Sequence, residues 1–319
     1  MNRFLKRFFL VVLLFYGLLL LLQTYIDYQL RKSTSNTYYD WNLLMNGKMN
    51  ASIIILGNSR AQAHFDTRLI EKNTGVSTYN LGTSGASLAI DQIRMKTYLS
   101  HNNPPKIVIQ NIDLYALTDK PIAEKNQYLP YFDDPVLFDE LQKIDRNVAL
   151  EKYIPMSKYR NYVCNLYEEL ICAKNKTNSI YKGYHPHPNA WNNDFLKMKK
   201  EMGSKKQVFP KNKIDHQLRF LQEDIRTCKE IDATLILVWC PQYFELNYYQ
   251  QPTLQMMKNK MRQIALENKH VLFWDYTENQ LNFEKKYFYN SFHMNTTGAT
   301  IFSQEFSNSL HNFIEKTTP

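Results

Sequence analysis

Residues 52–60 read Ser52-Ile53-Ile54-Ile55-Leu56-Gly57-Asn58-Ser59-Arg60. The apolar run in this stretch predicts a strand that is buried on both faces, which is typical of a parallel sheet. Gly57 and Asn58 interrupt the run, and Ser59 then stands at the junction with a following helix. Such a junction presents the Ser59 hydroxyl at the carboxyl edge of the sheet, where open α/β folds place their chemistry.

Four further apolar segments repeat this pattern of a short strand followed by turn signals. They lie at residues 76–81, 106–109, 233–239 and 271–274. Segments with apolar residues at helical spacing lie between or after them, at residues 87–100, 216–230, 254–268 and 297–315. This alternation predicts an α/β fold, a three-layer sandwich in which helices cover both faces of a central parallel sheet.

A long apolar stretch lies near the N-terminus. Residues 8–22 contain no charged or amide side chain, and residues 23–26 extend the stretch toward the ~20 residues that a helix needs to cross a bilayer. Arg3, Lys6 and Arg7 precede it, which predicts a cytoplasmic N-terminus. We expect residues 1–32 to be a cytoplasmic stub and a transmembrane anchor, with a cleaved signal peptide as the alternative. Either form exports residues 33–319.

One region departs from the alternation of strands and helices. Residues 119–213 are rich in Tyr, Asn, Pro and Lys. A compact domain rarely contains so long a segment without elements of its own, so we expect a partly helical insertion. Its aromatic and amide side chains suit the faces and hydroxyls of sugars, and the insertion could therefore shape a substrate cleft. The same side chains suit an ordinary small core, and both interpretations stay open.

Charge and cysteine content narrow the classes of partner and cofactor. The net charge of +9 fits a solvated surface or attraction to an anionic glycan or lipid. No recognised nucleic-acid module occurs in the sequence, so we expect no nucleic-acid partner. Four cysteines are too few for a disulfide scaffold, although Cys164 and Cys172 could pair outside the cytoplasm. No cysteine spacing resembles a zinc site, and His185 and His187 stand in a proline-stiffened loop without adjacent carboxylates, so we expect no metal.

Four short motifs follow one another at strand ends or helix starts. They are Gly57-Asn58-Ser59-Arg60, Gly82 after the second strand, Asn111 after the third, and Asn290-Ser291-Phe292-His293 before the last helix. Because the four motifs occur in this order, the chain resembles the SGNH (GDSL-like) hydrolase superfamily, over roughly residues 50–315 apart from the insertion. Together with the N-terminal anchor, it resembles the membrane-anchored envelope branch. The resemblance implies the flavodoxin-like SGNH fold.

The resemblance also implies roles for individual residues. Ser59 would attack an ester carbonyl, and His293, supported by Asn290, would take its proton. The backbone N–H groups of Ser59 and Gly82 and the side-chain amide of Asn111 would form the oxyanion hole. Each residue has a structural explanation as well: Ser59 as a helix cap, Gly82 in a turn, Asn111 as a strand cap and His293 as a loop residue bonded to backbone.

Two positions depart from the usual pattern of the superfamily. Asn58 stands where Asp usually precedes the serine, and Asn290 replaces the Asp that usually supports the histidine. An asparagine can hold the imidazole through its carbonyl oxygen, but it cannot stabilise the imidazolium by charge. Asp275 could replace the missing charge if it folds close by, and Asp113 could be the functional residue instead of Asn111.

From this resemblance we expect an extracytoplasmic serine esterase or O-acyltransferase of the SGNH type, anchored in a bacterial cell envelope or facing a periplasm. Its substrate would be an acylated envelope glycan, with acetyl as the favoured acyl group, since anchored relatives modify exopolysaccharides or teichoic acids. The resemblance implies no cofactor. The alternative is a catalytically inactive SGNH-fold module that binds glycan or assists polysaccharide assembly, and Asn290 is the residue that favours it.

Overall fold

The computed structural model of the chain describes residues 2–171 and 180–317. Every predicted strand is present: β1 Ile53–Leu56, β2 Thr78–Asn80, β3 Ile107–Asn111, β4 Thr234–Trp239 and β5 Val271–Asp275. The five strands form one sheet in the order β2-β1-β3-β4-β5, and neighbouring strands are parallel. The predicted α/β class with a central parallel sheet is therefore confirmed.

Helices connect the strands throughout the described residues. In chain order the α-helices are α1 Asn2–Leu30, α2 Tyr39–Met45, α3 Ser59–His64, α4 Thr67–Thr74, α5 Leu88–His101, α6 Pro135–Ile144, α7 Val148–Tyr153, α8 Val163–Ile171, α9 Asp194–Met202, α10 Lys211–Glu230, α11 Phe244–Gln250, α12 Thr253–Glu267 and α13 Thr296–Thr317. Short 3-10 helices lie at Lys125–Gln127, Leu129–Tyr131, Ser157–Tyr159, Gln280–Phe283 and Lys285–Tyr287. A helical segment separates each strand from the next, as parallel pairing requires.

The strand order creates a crevice at the carboxyl edge of the sheet. From β1 the chain moves to β2 on one side, whereas β3 pairs on the other side of β1, with Ile53 opposite Ile107. Ligands of open α/β sheets bind outside the carboxyl ends of the strands at such a switch point. β1 ends at Leu56 and β3 ends at Asn111, so the residues that follow these two strands meet at the crevice.

The chain divides into two compact units. The helical unit comprises Met1–Asn46 and Glu124–Thr177, and it contains α1, α2, α6, α7 and α8. The α/β unit comprises Gly47–Ala123 and Asn178–Pro319, and it contains the whole sheet. The predicted insertion at residues 119–213 is shared between the units, because its middle part clusters with the N-terminal segment.

The helical unit has a small aromatic core. Trp41 of α2 and Tyr128 are fully buried, and their ring centroids lie 4.8 Å apart in an edge-to-face arrangement. The helix at Arg3–Leu30 is long and apolar enough to cross a membrane, because it contains an 18-residue window that has a mean hydropathy of 2.3 and is mostly exposed. Cys164 is exposed in α8 and Cys172 lies outside the described residues, so their pairing stays a prediction.

The core of the α/β unit extends from the sheet to the loop before α13. Phe288 and Met294 are completely buried in the same apolar cluster as Ile53 of β1. They pair with each other in an isolated antiparallel bridge, and the N–H of Tyr289 donates to the carbonyl oxygen of His293 at 3.0 Å. The loop is therefore closed on itself and held in the core at both ends, which fixes the position of His293.

Gly298 allows α13 to pack against this loop. A Cβ added at Gly298 would lie 2.1 Å from the carbonyl oxygen of Tyr287. We expect Gly298→Ala to lower the free energy of unfolding by about 1–3 kcal/mol, the usual cost of overpacking, as measured by chemical denaturation. Thr297→Ala changes the neighbouring exposed residue and serves as the matched control. Equal unfolding midpoints in the two variants would show that the loop does not depend on this close approach.

Candidate active site

A tight turn between β1 and α3 presents Ser59. Gly57 in this turn has φ +138°, which favours glycine, and an added Cβ would lie 2.8 Å from the Cβ of Asn111. α3 begins at Ser59, and its cap is Asn58, whose Oδ1 accepts the N–H of Arg60 at 3.0 Å. Because Asn58 provides the cap, the Ser59 hydroxyl is available for other contacts.

Ser59, His293 and Asn290 form a chain of hydrogen bonds. Ser59 Oγ and His293 Nε2 lie 2.7 Å apart, and Nδ1 of the same ring lies 3.1 Å from Asn290 Oδ1. Asn290 Oδ1 also accepts the backbone N–H of His293 at 2.9 Å. An amide oxygen can only accept, so we assign the ring proton to Nδ1 and the acceptor role to Nε2. In this tautomer the imidazole can act as a general base toward Ser59.

The His293 ring is held in its neutral form. Burial of the ring, followed by the positive charge of Arg60 and by His187, lowers the pKa of His293 to about 4, against an opposing effect of Asp113. The Asn290 amide is uncharged and adds no attraction for the imidazolium. The base is therefore available at neutral pH, but the cation that forms after proton transfer receives little stabilisation.

A buried charge pair lies beside the serine. Arg60 Nη1 and Asp113 Oδ2 are 3.8 Å apart, and both side chains are almost completely buried. Arg60 also donates to Gln242 Oε1 at 3.0 Å, and Asp113 accepts the side-chain amide of Asn58 at 2.8 Å. Burial alone would raise the pKa of Asp113, but Arg60 and the hydrogen bonds outweigh burial and lower that pKa, so the carboxylate is charged.

The other predicted oxyanion donors are held by neighbouring polar groups. The N–H of Gly82 donates to Asn80 Oδ1 at 2.9 Å, and the buried side-chain amide of Asn111 donates to Asp113 Oδ2 at 3.2 Å. Neither Gly82 nor Asn111 is among the described residues that line the cavity at Ser59. In this conformation both groups already donate to neighbouring protein atoms, and their role in an oxyanion hole stays a prediction.

Asp275 does not supply the charge that Asn290 lacks. Its carboxylate lies 3.0 Å from Lys258 Nζ and 2.8 Å from Arg262 Nη2, and it is not among the described residues that line the cavity at Ser59. The expectation that Asp275 could replace the missing charge is therefore wrong, because β5 ends next to the basic side chains of α12 rather than at the histidine.

A small cavity opens at Ser59. Its volume is about 210 Å³, below the range of roughly 300–1,000 Å³ that is typical of drug-sized ligand sites. Besides Ser59 and His293, its walls include Gly85, Tyr115, Lys120 and Phe292. The cavity has room for a small acyl group next to the hydroxyl, with aromatic rings on one part of its wall.

Lys120 and Gly85 are cavity residues that the sequence motifs do not identify. Lys120 is half-buried, and burial lowers the pKa of its ammonium group while Asp113 and Asp91 oppose that change. Gly85 has φ +77°, and the loop after β2 turns there toward the cavity. Ser84-Gly85 is recognisable in the sequence as a turn, but nothing local to Lys120 indicates that it faces Ser59.

No protein-family model matches the sequence, and comparison with curated proteins finds no match. Solved structures do match. A protein described as an acylhydrolase, from Bacteroides fragilis, is 12% identical over 83% of this chain and 86% of its own, with a TM-score of 0.42. A GDSL-like lipase from Bacteroides thetaiotaomicron is 13% identical over 83% of this chain and 88% of its own, with a TM-score of 0.40.

A third similar structure is an active-site mutant of a family two carbohydrate esterase from Clostridium thermocellum. It is 9% identical over 82% of this chain, which spans 63% of the esterase, and the TM-score is 0.36. At this level of similarity the three structures carry no activity over to this chain.

The charge at position 290 is expected to control the protonation of His293. Asn290→Asp should raise the pKa of the His293 ring by roughly one to three pKa units, because a carboxylate close to Nδ1 stabilises the imidazolium. The pKa is measured from the pH dependence of imidazole NMR resonances, assigned with His293→Ala. Asn308→Asp adds the same charge at an exposed position of α13 and is the control. Equal shifts in both Asp variants would contradict a direct contact between residue 290 and the ring.

Proposed function

We propose that this chain is a serine esterase or O-acyltransferase of the SGNH type. The observation that carries the proposal is the 2.7 Å contact between Ser59 Oγ and His293 Nε2. The contact lies at a small cavity on the carboxyl edge of a parallel sheet. A hydroxyl held against a neutral imidazole has the base that a serine requires before it becomes a nucleophile.

The reaction would proceed through an acyl-enzyme. Ser59 Oγ bonds to the ester carbonyl carbon while its proton passes to His293 Nε2, and the proton then moves to the leaving alcohol oxygen as the ester bond breaks. The Ser59 N–H, at the first position of α3 where no intrahelical acceptor exists, is one donor for the oxyanion. Gly82 could join it only if its present hydrogen bond to Asn80 rearranges, whereas the Asn111 amide has a second N–H besides the one that Asp113 accepts.

The second half of the reaction decides between hydrolysis and transfer. Water at the acyl-enzyme gives an ester hydrolase, whereas a sugar hydroxyl gives an O-acyltransferase. In either case His293 Nε2 takes the proton of the incoming hydroxyl and returns it to Ser59 Oγ. This chemistry calls for no cofactor.

We place the α/β unit outside the cytoplasm of a bacterial cell. The apolar helix Arg3–Leu30 has 28 residues. At 1.5 Å per residue its length is about 42 Å, more than the ~30 Å of a bilayer core. Basic residues at its start favour a cytoplasmic N-terminus. A cleaved signal sequence would export the same unit and remains the alternative for this helix.

An acylated envelope glycan, most simply an acetylated one, is the proposed substrate. Tyr115 and Phe292 line the cavity at Ser59, with ring centroids 4.8 Å apart in an edge-to-face arrangement. Aromatic rings in the wall of a small acyl site would cover the C–H face of a sugar while its ester contacts Ser59.

Covalent labelling tests the proposed chemistry. We expect a fluorophosphonate probe to label the full-length protein at Ser59, and His293→Ala to slow labelling by about a hundredfold or more, since a general base typically contributes that much. Ser59→Ala abolishes labelling. Ser84→Ala removes an exposed serine in the loop next to Gly85 and leaves labelling unchanged, so it is the control.

The same experiment decides the second candidate function, an inactive module that binds glycan. Two observations favour that candidate: Asn290 provides no charge for the imidazolium, and Gly82 donates its N–H to Asn80. A folded protein that resists labelling, with a Ser59 Oγ to His293 Nε2 contact still present, would reject the esterase. Binding of an acetylated glycan by that protein would then support the module.

The cavity volume predicts a preference for short acyl groups. We expect p-nitrophenyl acetate to be hydrolysed with a kcat/KM roughly tenfold or more above that of the butyrate ester, because a hydrophobic pocket discriminates by about that factor for a methylene group. Phe292→Ala removes a wall of the cavity and should reduce the ratio between the two substrates. An unchanged ratio in Phe292→Ala would mean that the acyl group binds elsewhere.

A further inference from the structure

The helical unit carries apolar side chains that its own core does not cover. Leu150 and Tyr153 of α7 and the adjacent Ile154 are 60%, 67% and 51% exposed. They lie within five consecutive residues, in a segment that reads Leu150-Glu151-Lys152-Tyr153-Ile154-Pro155-Met156. A concentration of large exposed apolar side chains marks a surface that contacts another apolar phase or partner.

Contacts with α1 show where this segment lies along that helix. The hydroxyl of Tyr16, near the middle of α1, donates to the carbonyl oxygen of Tyr153 at 3.1 Å. Two turns further along, Gln23 Oε1 accepts the N–H of Met156 at 2.7 Å. Near the end of α1, Asp27 Oδ2 lies 2.8 Å from Lys158 Nζ. The segment therefore runs beside the second half of α1.

The polarity of the segment changes along α1. Exposed apolar side chains lie near the level of Tyr16, and charged groups begin at Asp27. Eleven residues separate these levels, which is about 16 Å along the helix and about half of a ~30 Å bilayer core. A cavity of about 420 Å³ at the charged level is lined by polar residues that include Asp27, Arg31, Asp133, Lys152 and Lys158. This is the polarity profile of one bilayer leaflet and its headgroup layer.

The backbone of the exposed segment is also suited to an apolar medium. The N–H of Ile154 donates to Leu150 O at 2.9 Å, and that of Ser157 donates to Ile154 O at 3.1 Å. Met156 N–H is bonded to Gln23 Oε1, and residue 155 is a proline without an N–H. Every backbone N–H from residue 154 to residue 157 is thus satisfied or missing, which lowers the cost of placing this segment next to an apolar medium.

We infer that the exposed apolar side chains of Leu150, Tyr153 and Ile154 are embedded in the bilayer leaflet nearest the C-terminal end of α1. The two charged residues between them are directed elsewhere: Glu151 is buried in an ion pair with Lys125 at 2.6 Å, and Lys152 lines the charged cavity. Leu150, Tyr153 and Ile154 contact lipid acyl chains there, and the charged groups around Asp27 lie among the headgroups. This inference rests on the membrane-spanning role of α1, which is part of the proposed function, and it does not depend on the esterase chemistry. The helical unit would then attach to the membrane through lipid as well as through α1.

Site-specific photocrosslinking tests this inference on the full chain. A diazirine amino acid replaces Leu21, Tyr153, Ile154 or Tyr167, one at a time, in protein reconstituted in vesicles of phosphatidylethanolamine and phosphatidylglycerol. Leu21 of α1 is 71% exposed and reports on the anchor itself. Tyr167 of α8 is 62% exposed but lies two residues from Glu169, which accepts the Ser33 hydroxyl at 3.1 Å beyond the end of α1. It is a control matched to Tyr153 in side chain and exposure.

We expect lipid adducts at Leu21, Tyr153 and Ile154, and at least about fivefold fewer at Tyr167, as counted by mass spectrometry. Adducts at Leu21 with no excess at Tyr153 and Ile154 over Tyr167 would overturn the inference and leave the anchor in place. Protein adducts instead of lipid adducts at Tyr153 and Ile154 would overturn it in favour of a second copy of the chain on this face. An absence of lipid adducts at Leu21 would reject both the anchor and the inference, while fluorophosphonate labelling would still report separately on the esterase.

Discussion

The carboxylate of Asp113 is the contact on which the arrangement of the candidate active site depends. It accepts hydrogen bonds from Asn58, in the turn after β1, and from Asn111, at the end of β3. It also pairs with Arg60, which donates to Gln242 after β4. One buried charge therefore links the carboxyl ends of three adjacent strands. Removing one partner of such a pair leaves an uncompensated charge in the interior and typically costs about 3–5 kcal/mol, so the serine turn has little freedom to move.

Asn290, which contacts the His293 ring at Nδ1 while Ser59 contacts it at Nε2, has both a structural and a chemical role. Asn290 Oδ1 accepts the backbone N–H groups of Phe292 and His293 as well as contacting the imidazole Nδ1, so it shapes the loop and orients the ring at the same time. An aspartate could accept the same three bonds and would add a negative charge. The site thus has the geometry of a serine nucleophile with its base, but the stabilisation of the imidazolium is weaker than a carboxylate would provide. The missing charge is therefore one of the two features that favour the binding module over the proposed acyl-transfer enzyme, together with the hydrogen bond from Gly82 to Asn80.

The aromatic side chains of the region between the third and fourth strands pack in two different units. Tyr128, Tyr131 and Tyr159 are buried in the helical unit, where they form the ordinary small core that the composition allowed. Trp191, in the α/β unit, packs edge to face on Tyr243 at 4.8 Å between centroids. The buried tyrosines are withdrawn from solvent and cannot contact a sugar, so the proposed sugar contacts are assigned to Tyr115 and Phe292 at the Ser59 cavity.

The sequence by itself determined the approximate positions of the strands, because short apolar runs next to turn-forming residues favour strands. It also determined the candidate nucleophile and base, which stand in recognisable turns next to those strands. The end of the third strand differs from the expected residue 109: β3 continues to Asn111 because Asn111 pairs with Val238 of β4, and the local sequence pattern does not report that pairing. Only the tertiary structure decided which polar groups meet. Ser59 and His293 are 234 residues apart in the chain, Lys120 reaches the same cavity without any motif, and Asp275 pairs with basic residues instead. The physical reason is that periodicity encodes which face of an element is buried, whereas side-chain hydrogen bonds are set by the packing of elements that are distant in sequence.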